Sequence, residues 1–257
     1  MTMKVISLQS GSNGNCIYVE ANHVRLLFDA GISGRQAELR LAAHGRAIAD
    51  VEAVLISHDH RDHIGCAGIF QRKWGLPVYA TRRTLQAANA YRHLGPMTEV
   101  IHFEAGGGML FDEVCIETIP TPHDGVDGVA FVIDDGEHRL GILTDLGHVF
   151  DGLEQLVESL DAVVLESNYD PRMLAQSGYP DFLKQRIQGP HGHLSNEDAA
   201  CLLRGAAGCQ LRWACLAHLS AENNSPQQAL QTHRRVLGAG LPLYVASRYE
   251  VGPVLEV

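Results

Sequence analysis

Apolar positions along the chain follow two rhythms. Short apolar runs bounded by turn residues read as buried strands, and stretches with apolar residues three or four apart read as helices. In the first third, residues 5–8, 16–20, 24–29, 51–57 and 78–80 have the strand pattern. A dense turn at 10–15 (SGSNGN) and helical stretches at 35–44, 62–74 and 84–91 separate them. The middle is β-rich. Strands are expected at 114–119, 128–133 and 138–144, the last two joined as a hairpin by DDGE at 134–137, followed by a helix at 153–159 and a strand at 162–166. In the last third, helices at 182–187, 196–204 and 226–237 alternate with strands at 213–217 and 241–246. No internal repeat and no Pro- or Ser-rich linker interrupts this order. Two β-rich blocks, each with helices on its outside, predict an α/β fold: an αβ/βα sandwich in a single domain over residues 1–257.

Composition narrows the classes. With 46% apolar and 19% charged residues the chain is ordinary globular material, so whole-chain disorder is excluded. No run approaches the roughly 18 apolar residues of a spanning helix, so no membrane partner is expected. The first residues carry one lysine and no long apolar run, which argues against a signal peptide and for a cytoplasmic protein with reduced thiols. The six cysteines include no pair at C-x-x-C spacing and read as small, mostly buried apolar residues rather than a zinc ribbon. A net charge of −10 disfavours coating nucleic acid by bulk electrostatics, although bound cations would reverse the local sign. Arg82 with Arg83, Arg204 with Arg212, and Arg234 with Arg235 are the candidates for a local basic track.

The chain has 14 histidines, and their spacing matters more than their number. Ser57-His58-Asp59-His60-Arg61-Asp62-His63 follows an apolar strand and opens a helix. His58 and His60 are two apart and share a side of an extended backbone, whereas Asp62 and His63 approach from the turn into the helix. Imidazoles and a carboxylate suit Zn, Mn or Fe alike.

This string matches the HxHxDH signature of the metallo-β-lactamase-fold superfamily. Asp29 in FDAG, His123 in TPHDG, Asp145 in LTDLG and His218 in LAHLS fall in the superfamily's order, each after an apolar strand. The resemblance implies a four-layer αβ/βα sandwich holding two divalent metal ions. One would be held by His58, His60 and His123, the other by Asp62, His63 and His218, with Asp145 reaching both. Asp29 would support the ligands from behind. An aspartate at 145, where two-zinc β-lactamases of this fold carry cysteine, makes β-lactam hydrolysis a poor expectation. Too little chain follows His218 for the helical substrate domain of glyoxalase II.

Gly192-His193-Leu194-Ser195-Asn196 resembles the GH-x-[ST] segment of tRNase Z and related phosphodiesterases. Ser195 suits a helix N-cap, and His193 just before it could meet a phosphate or protonate a leaving oxygen. His193 and Asp62 are therefore the catalytic candidates, and His193, Ser195 and Asn168 the candidate substrate contacts. SGSNGN, LLFDAG, SHDHRDH, VVLESNYD, GYP…LKQRI, GHLSN and LAHLSAENN together resemble the YycJ/WalJ group of bacterial metallohydrolases. That resemblance implies exonuclease-type processing of nucleic acid, with DNA as the partner. The rival readings are a small-molecule hydrolase (thioesterase, lactonase or cyclic phosphodiesterase) and a non-catalytic metal-binding sensor or assembly subunit.

Overall fold

The computed structural model describes residues 2–91, 93–206 and 210–257. Strands β1 (Lys4–Gln9), β2 (Cys16–Ala21) and β3 (Val24–Phe28) form an antiparallel meander. Helix α1 (Gly34–Ala42) follows, started by a capping box in which the Ser33 hydroxyl accepts from the Gln36 N–H and the Gln36 side chain accepts from the Ser33 N–H. Strand β4 (Ala53–Leu55) pairs parallel with β3 and leads into the short helix α2 (Arg61–Ile64), then α3 (Ala67–Trp74). Strand β5 (Val78–Ala80), helix α4 (Arg82–Tyr91) and strand β6 (Val100–His102) complete this half.

The second half runs through β7 (Gly108–Phe111), β8 (Val114–Pro120), β9 (Val129–Asp134) and β10 (Arg139–Leu143), then α5 (Leu153–Glu158) and β11 (Ala162–Glu166). Helices α6 (Pro171–Gln176), α7 (Asp181–Gln188) and α8 (Asn196–Ala206) precede β12 (Trp213–Ala217), α9 (Pro226–Leu237), β13 (Leu243–Val245) and β14 (Leu255–Glu256). The strand orders are β14-β1-β2-β3-β4-β5-β6 and β13-β12-β11-β10-β9-β8-β7. One apolar cluster fills the space between the sheets, where the Phe28 and Phe131 rings meet at 5.1 Å. A second packs under α1 and α3, and a third under α5, α8 and α9. The result is the expected sandwich of helices, sheet, sheet and helices. No helix among the described residues is long and apolar enough to cross a membrane.

Several elements differ from the sequence reading. The single helix expected at 62–74 breaks at Gly65 and Cys66. There the Cys66 N–H donates to Ala30 O (2.8 Å) and His63 O accepts from the Ala30 N–H (2.6 Å), so β3's exit takes groups a continuous helix would need. The strand expected at 51–57 shrinks to three residues, because the Ser57 N–H is captured by the Asp29 carboxylate at 2.8 Å instead of a ladder partner. Strands β6, β7 and β14 and helix α6 were absent from the pattern. Of these, β6 and β14 are short edges and β7 is a half-exposed edge opening on glycine. Cys16 and Cys215 are buried as expected, but Cys201 is exposed, and no disulfide joins the described cysteines. Cys209 lies outside the described residues.

Candidate metal centre

The candidate ligands gather because strands of both sheets that run the same way end at one edge. Asp29 follows β3, His58 follows β4, His123 follows β8, Asp145 follows β10 and His218 follows β12. Asp29, Asp145 and His218 leave their strands with φ of +67°, +56° and +55°. Left-handed backbone costs an L-residue about 1–2 kcal/mol, less for Asp, so the core is holding these side chains against local preference.

Ligand-capable atoms of His58, His60 and His123 lie within 4.8 Å of one another, as do those of Asp62, His63 and His218. Asp145 stands between the trios. Its Oδ2 is 3.3 Å from His63 Nε2, and its Oδ1 is 3.7 Å from His123 Nε2 and 3.6 Å from His218 Nδ1. His58 Nε2 and Asp145 Oδ2 are buried with no hydrogen-bond partner. Orphaned lone pairs at the centre of such a cluster suit a cation, so the residues present fit divalent metal binding.

Surrounding groups fix which nitrogen faces inward. Asp29 Oδ2 lies 2.6 Å from His63 Nδ1, leaving Nε2 toward the cluster, and Ser57 Oγ bonds the same carboxylate. His123 Nδ1 donates to Gly192 O at 2.7 Å. The Asn168 amide donates to His218 O at 2.8 Å and lies 3.1 Å from His218 Nδ1. Burial and the neighbouring His63, His60 and His123 rings hold His58 well below the usual imidazole range, which keeps its lone pair available. Burial opposes charge on His63, but Asp29, Asp145 and Asp62 outweigh it and lift the ring to about 9. Burial likewise opposes ionisation of Asp62, and His63 and His218 overcome it, leaving the carboxyl far below its ordinary range.

A cleft of about 610 Å³ opens over the cluster and is lined by His60, Asp62, Asp145, Asn168, His193 and His218, among others. His193 is anchored by Glu166, the last residue of β11, whose Oε1 lies 2.6 Å from His193 Nδ1. The second Glu166 oxygen accepts from the Leu146 N–H at 2.9 Å. Burial opposes ionisation of this wholly enclosed carboxylate, but His193 outweighs it and its pKa falls well below the ordinary value. Ser195 is buried, and its hydroxyl is occupied at the start of α8 by Asp198, at 2.6 Å.

The sequence singled out neither Glu166 nor Arg186. Glu166 showed only as the polar end of an apolar strand. Arg186, on α7, lines the cleft with Arg61 and bonds Asp124 Oδ2 through Nε at 2.7 Å. Asp124 Oδ1 is in turn 3.4 Å from both His60 Nε2 and His123 Nε2. The proposed basic track is largely spent elsewhere. Arg83 pairs with Asp127, Arg212 with Asp161 and Arg235 with Glu197, while Arg234 bonds Leu241 O.

Residues 10–192 match the model of the metallo-beta-lactamase superfamily. The chain is 37% identical over 227 residues to the exodeoxyribonuclease WalJ of Streptococcus pneumoniae, covering 88% of this chain and 84% of that protein. It is 35% identical over 233 residues to the exodeoxyribonuclease YycJ of Bacillus anthracis, covering 90% and 87%. Among solved structures, the metallo-beta-lactamase fold protein YhfI from Bacillus subtilis superposes with a TM-score of 0.75 over 100% of both chains at 19% identity. The short form of human tRNase Z does so with a TM-score of 0.67 over 98% of this chain and 99% of that one at 15% identity, a likeness of fold. The chain belongs to the metallo-beta-lactamase superfamily, in the group that includes WalJ and YycJ.

Proposed function

We propose that this protein is a two-metal phosphodiester hydrolase that removes nucleotides from DNA ends in the cytoplasm, working as a single domain. The observation that carries the chemistry is His193 in the cleft beside both trios of candidate ligands, tied through Nδ1 to a buried carboxylate. The kinship with WalJ and YycJ, extending over most of both chains, carries the choice of DNA.

His58, His60 and His123 would hold one cation and Asp62, His63 and His218 the other, with Asp145 between them. Bound there, divalent cations acidify water toward neutrality and offset negative charge on a phosphate. Asp29, Ser57 and Asn168 keep the ligand rings in place. With Nδ1 on Glu166, His193 has Nε2 left to meet the substrate and deliver a proton to the departing oxygen. Asp62, besides holding metal, places a carboxylate in the cleft wall. Ser195 supports this arrangement by accepting the Asp198 N–H at 3.1 Å at the start of α8, two residues after His193, and Asn168 lies where it can meet substrate through the cleft lining.

The test is a panel assay in Zn or Mn with single- and double-stranded DNA labelled at either end, RNA, a thioester and a lactone. Stepwise nucleotide release from DNA is the expected result. Turnover of the thioester or lactone with DNA left intact would overturn the reading.

A further inference from the structure

The SGSNGN turn has no part in the hydrolytic steps above, yet it touches one trio of candidate ligands and not the other. Ser10 Oγ accepts the main-chain N–H of His218 at 2.8 Å. The Asn15 N–H donates to Asp62 O at 2.7 Å. The Asn15 amide nitrogen lies 3.3 Å from Asp62 Oδ2 and 2.9 Å from His63 Nε2. Its orientation is fixed, because the Gly11 N–H donates to Asn15 Oδ1 at 2.8 Å and leaves the NH2 end toward the ligands. The Ser10 hydroxyl also donates to Asn15 Oδ1 at 3.3 Å, coupling the two residues. They are 1% and 4% exposed, so water does not compete for these bonds.

The close approach depends on glycine. Gly14 has φ +142°, and a Cβ there would come within 2.6 Å of Gly31 O. A Cβ on Gly31 would lie 1.7 Å from Asp62 O. Among the described residues, the partners of the other trio lie elsewhere: Ser57 for His58, Asp124 for His60, and Gly192 for His123.

We propose that the 10–15 turn is a one-sided positioning element that sets the affinity of the Asp62–His63–His218 site and makes the two metal sites unequal. This rests on the reading that each trio holds a divalent cation. Ser10 holds His218 through its main chain and Asn15 lies beside the ligating edges of Asp62 and His63; groups that orient ligands in this way typically change metal affinity 10–100-fold. Because Ser10 and Asn15 reach all three members of one trio, their loss falls on that ion alone.

The experiment is calorimetric titration of metal-free protein with Zn, comparing wild type, Asn15→Ala and Ser10→Ala. Ser10→Ala removes a single hydroxyl and serves if Asn15→Ala does not fold. Wild type is expected to take up two equivalents. Each variant should bind one equivalent as wild type does and the other 10–100-fold more weakly. In an Asp62→Ala background, which already lacks the turn-side site, Ser10→Ala should leave the remaining equivalent unchanged. Equal weakening of both equivalents, no change in either, or weakening of the remaining equivalent in the Asp62→Ala background would overturn the inference. A wild type that binds fewer than two equivalents would instead overturn the two-metal reading itself.

Discussion

His193 Nδ1 and Glu166 Oε1 lie 2.6 Å apart, joining the loop before α8 to the end of β11 beneath the cleft. The pair belongs to neither trio, but His193 Nδ1 is 3.6 Å from Asp145 Oδ1 and Glu166 Oε1 is 3.7 Å from His218 Nδ1, so metal content is measured beside the rates. His193→Ala is expected to keep both metals and lose about 10²–10⁴-fold in turnover of DNA. The loss should shrink on a nitrophenyl phosphodiester, whose leaving group needs no proton. Glu166→Gln keeps an acceptor for Nδ1 but not the charge, and its turnover should fall between wild type and His193→Ala. Steady-state rates on both substrates with metal analysis check this; equal losses on the two substrates would assign His193 to phosphate binding.

Asp145 approaches His63, His123 and His218, members of both trios. Asp145→Ala should abolish hydrolysis and lose one metal equivalent, while circular dichroism and the thermal midpoint of the metal-free protein stay near wild type. The fold should survive because the three apolar clusters, not the cations, supply most of the burial. Wild-type turnover with both metals retained would remove Asp145 from the bridging role.

Arg186 and Arg61 are the arginines of the cleft lining. Arg186→Ala should raise KM for DNA about tenfold with little change in kcat, and lower the slope of log affinity against log salt by about one. Steady-state kinetics measure the first and anisotropy titrations over a salt series the second; an unchanged salt slope would place Arg186 outside the DNA path.

His233 provides a pH test away from the site. Burial pushes this α9 ring down to about 4, while Nδ1 donates to Ala229 O at 2.9 Å. The unfolded ring takes its proton near 6.5 and the folded ring resists until about 4. The stabilisation is therefore full above pH 6.5 and lost as pH falls through that window, by about 2 kcal/mol between pH 7 and pH 5. Urea unfolding of chelated wild type and His233→Phe at both pH values should show that much less acid sensitivity in the variant. Equal sensitivity would mean that the folded ring takes up its proton at the same pH as the unfolded one.

Much of the site was legible because metal ligation needs particular residue types and strand ends show in the apolar pattern. His58, His60, Asp62 and His63 fall within six residues, and His123, Asp145 and His218 each follow a run whose burial could be read directly. What was hidden depends on tertiary neighbours. Glu166 looks like any polar strand terminus until β11 is set beside the loop carrying His193. Arg186 sits on α7, which has no buried residue, so periodicity could not say that its helix borders the cleft. The break between α2 and α3 arises from Ala30, more than thirty residues earlier in the chain, and nothing within 62–74 announces it apart from Gly65.

The most direct measurement follows end-labelled DNA through a cycle of chelation and metal return. The metal-loaded protein should release nucleotides from DNA ends, the chelated protein should release none, and two equivalents of Zn or Mn should restore the activity. DNA left intact by fully loaded protein, or digestion that persists at full rate after both metals are removed, would contradict a two-metal exonuclease.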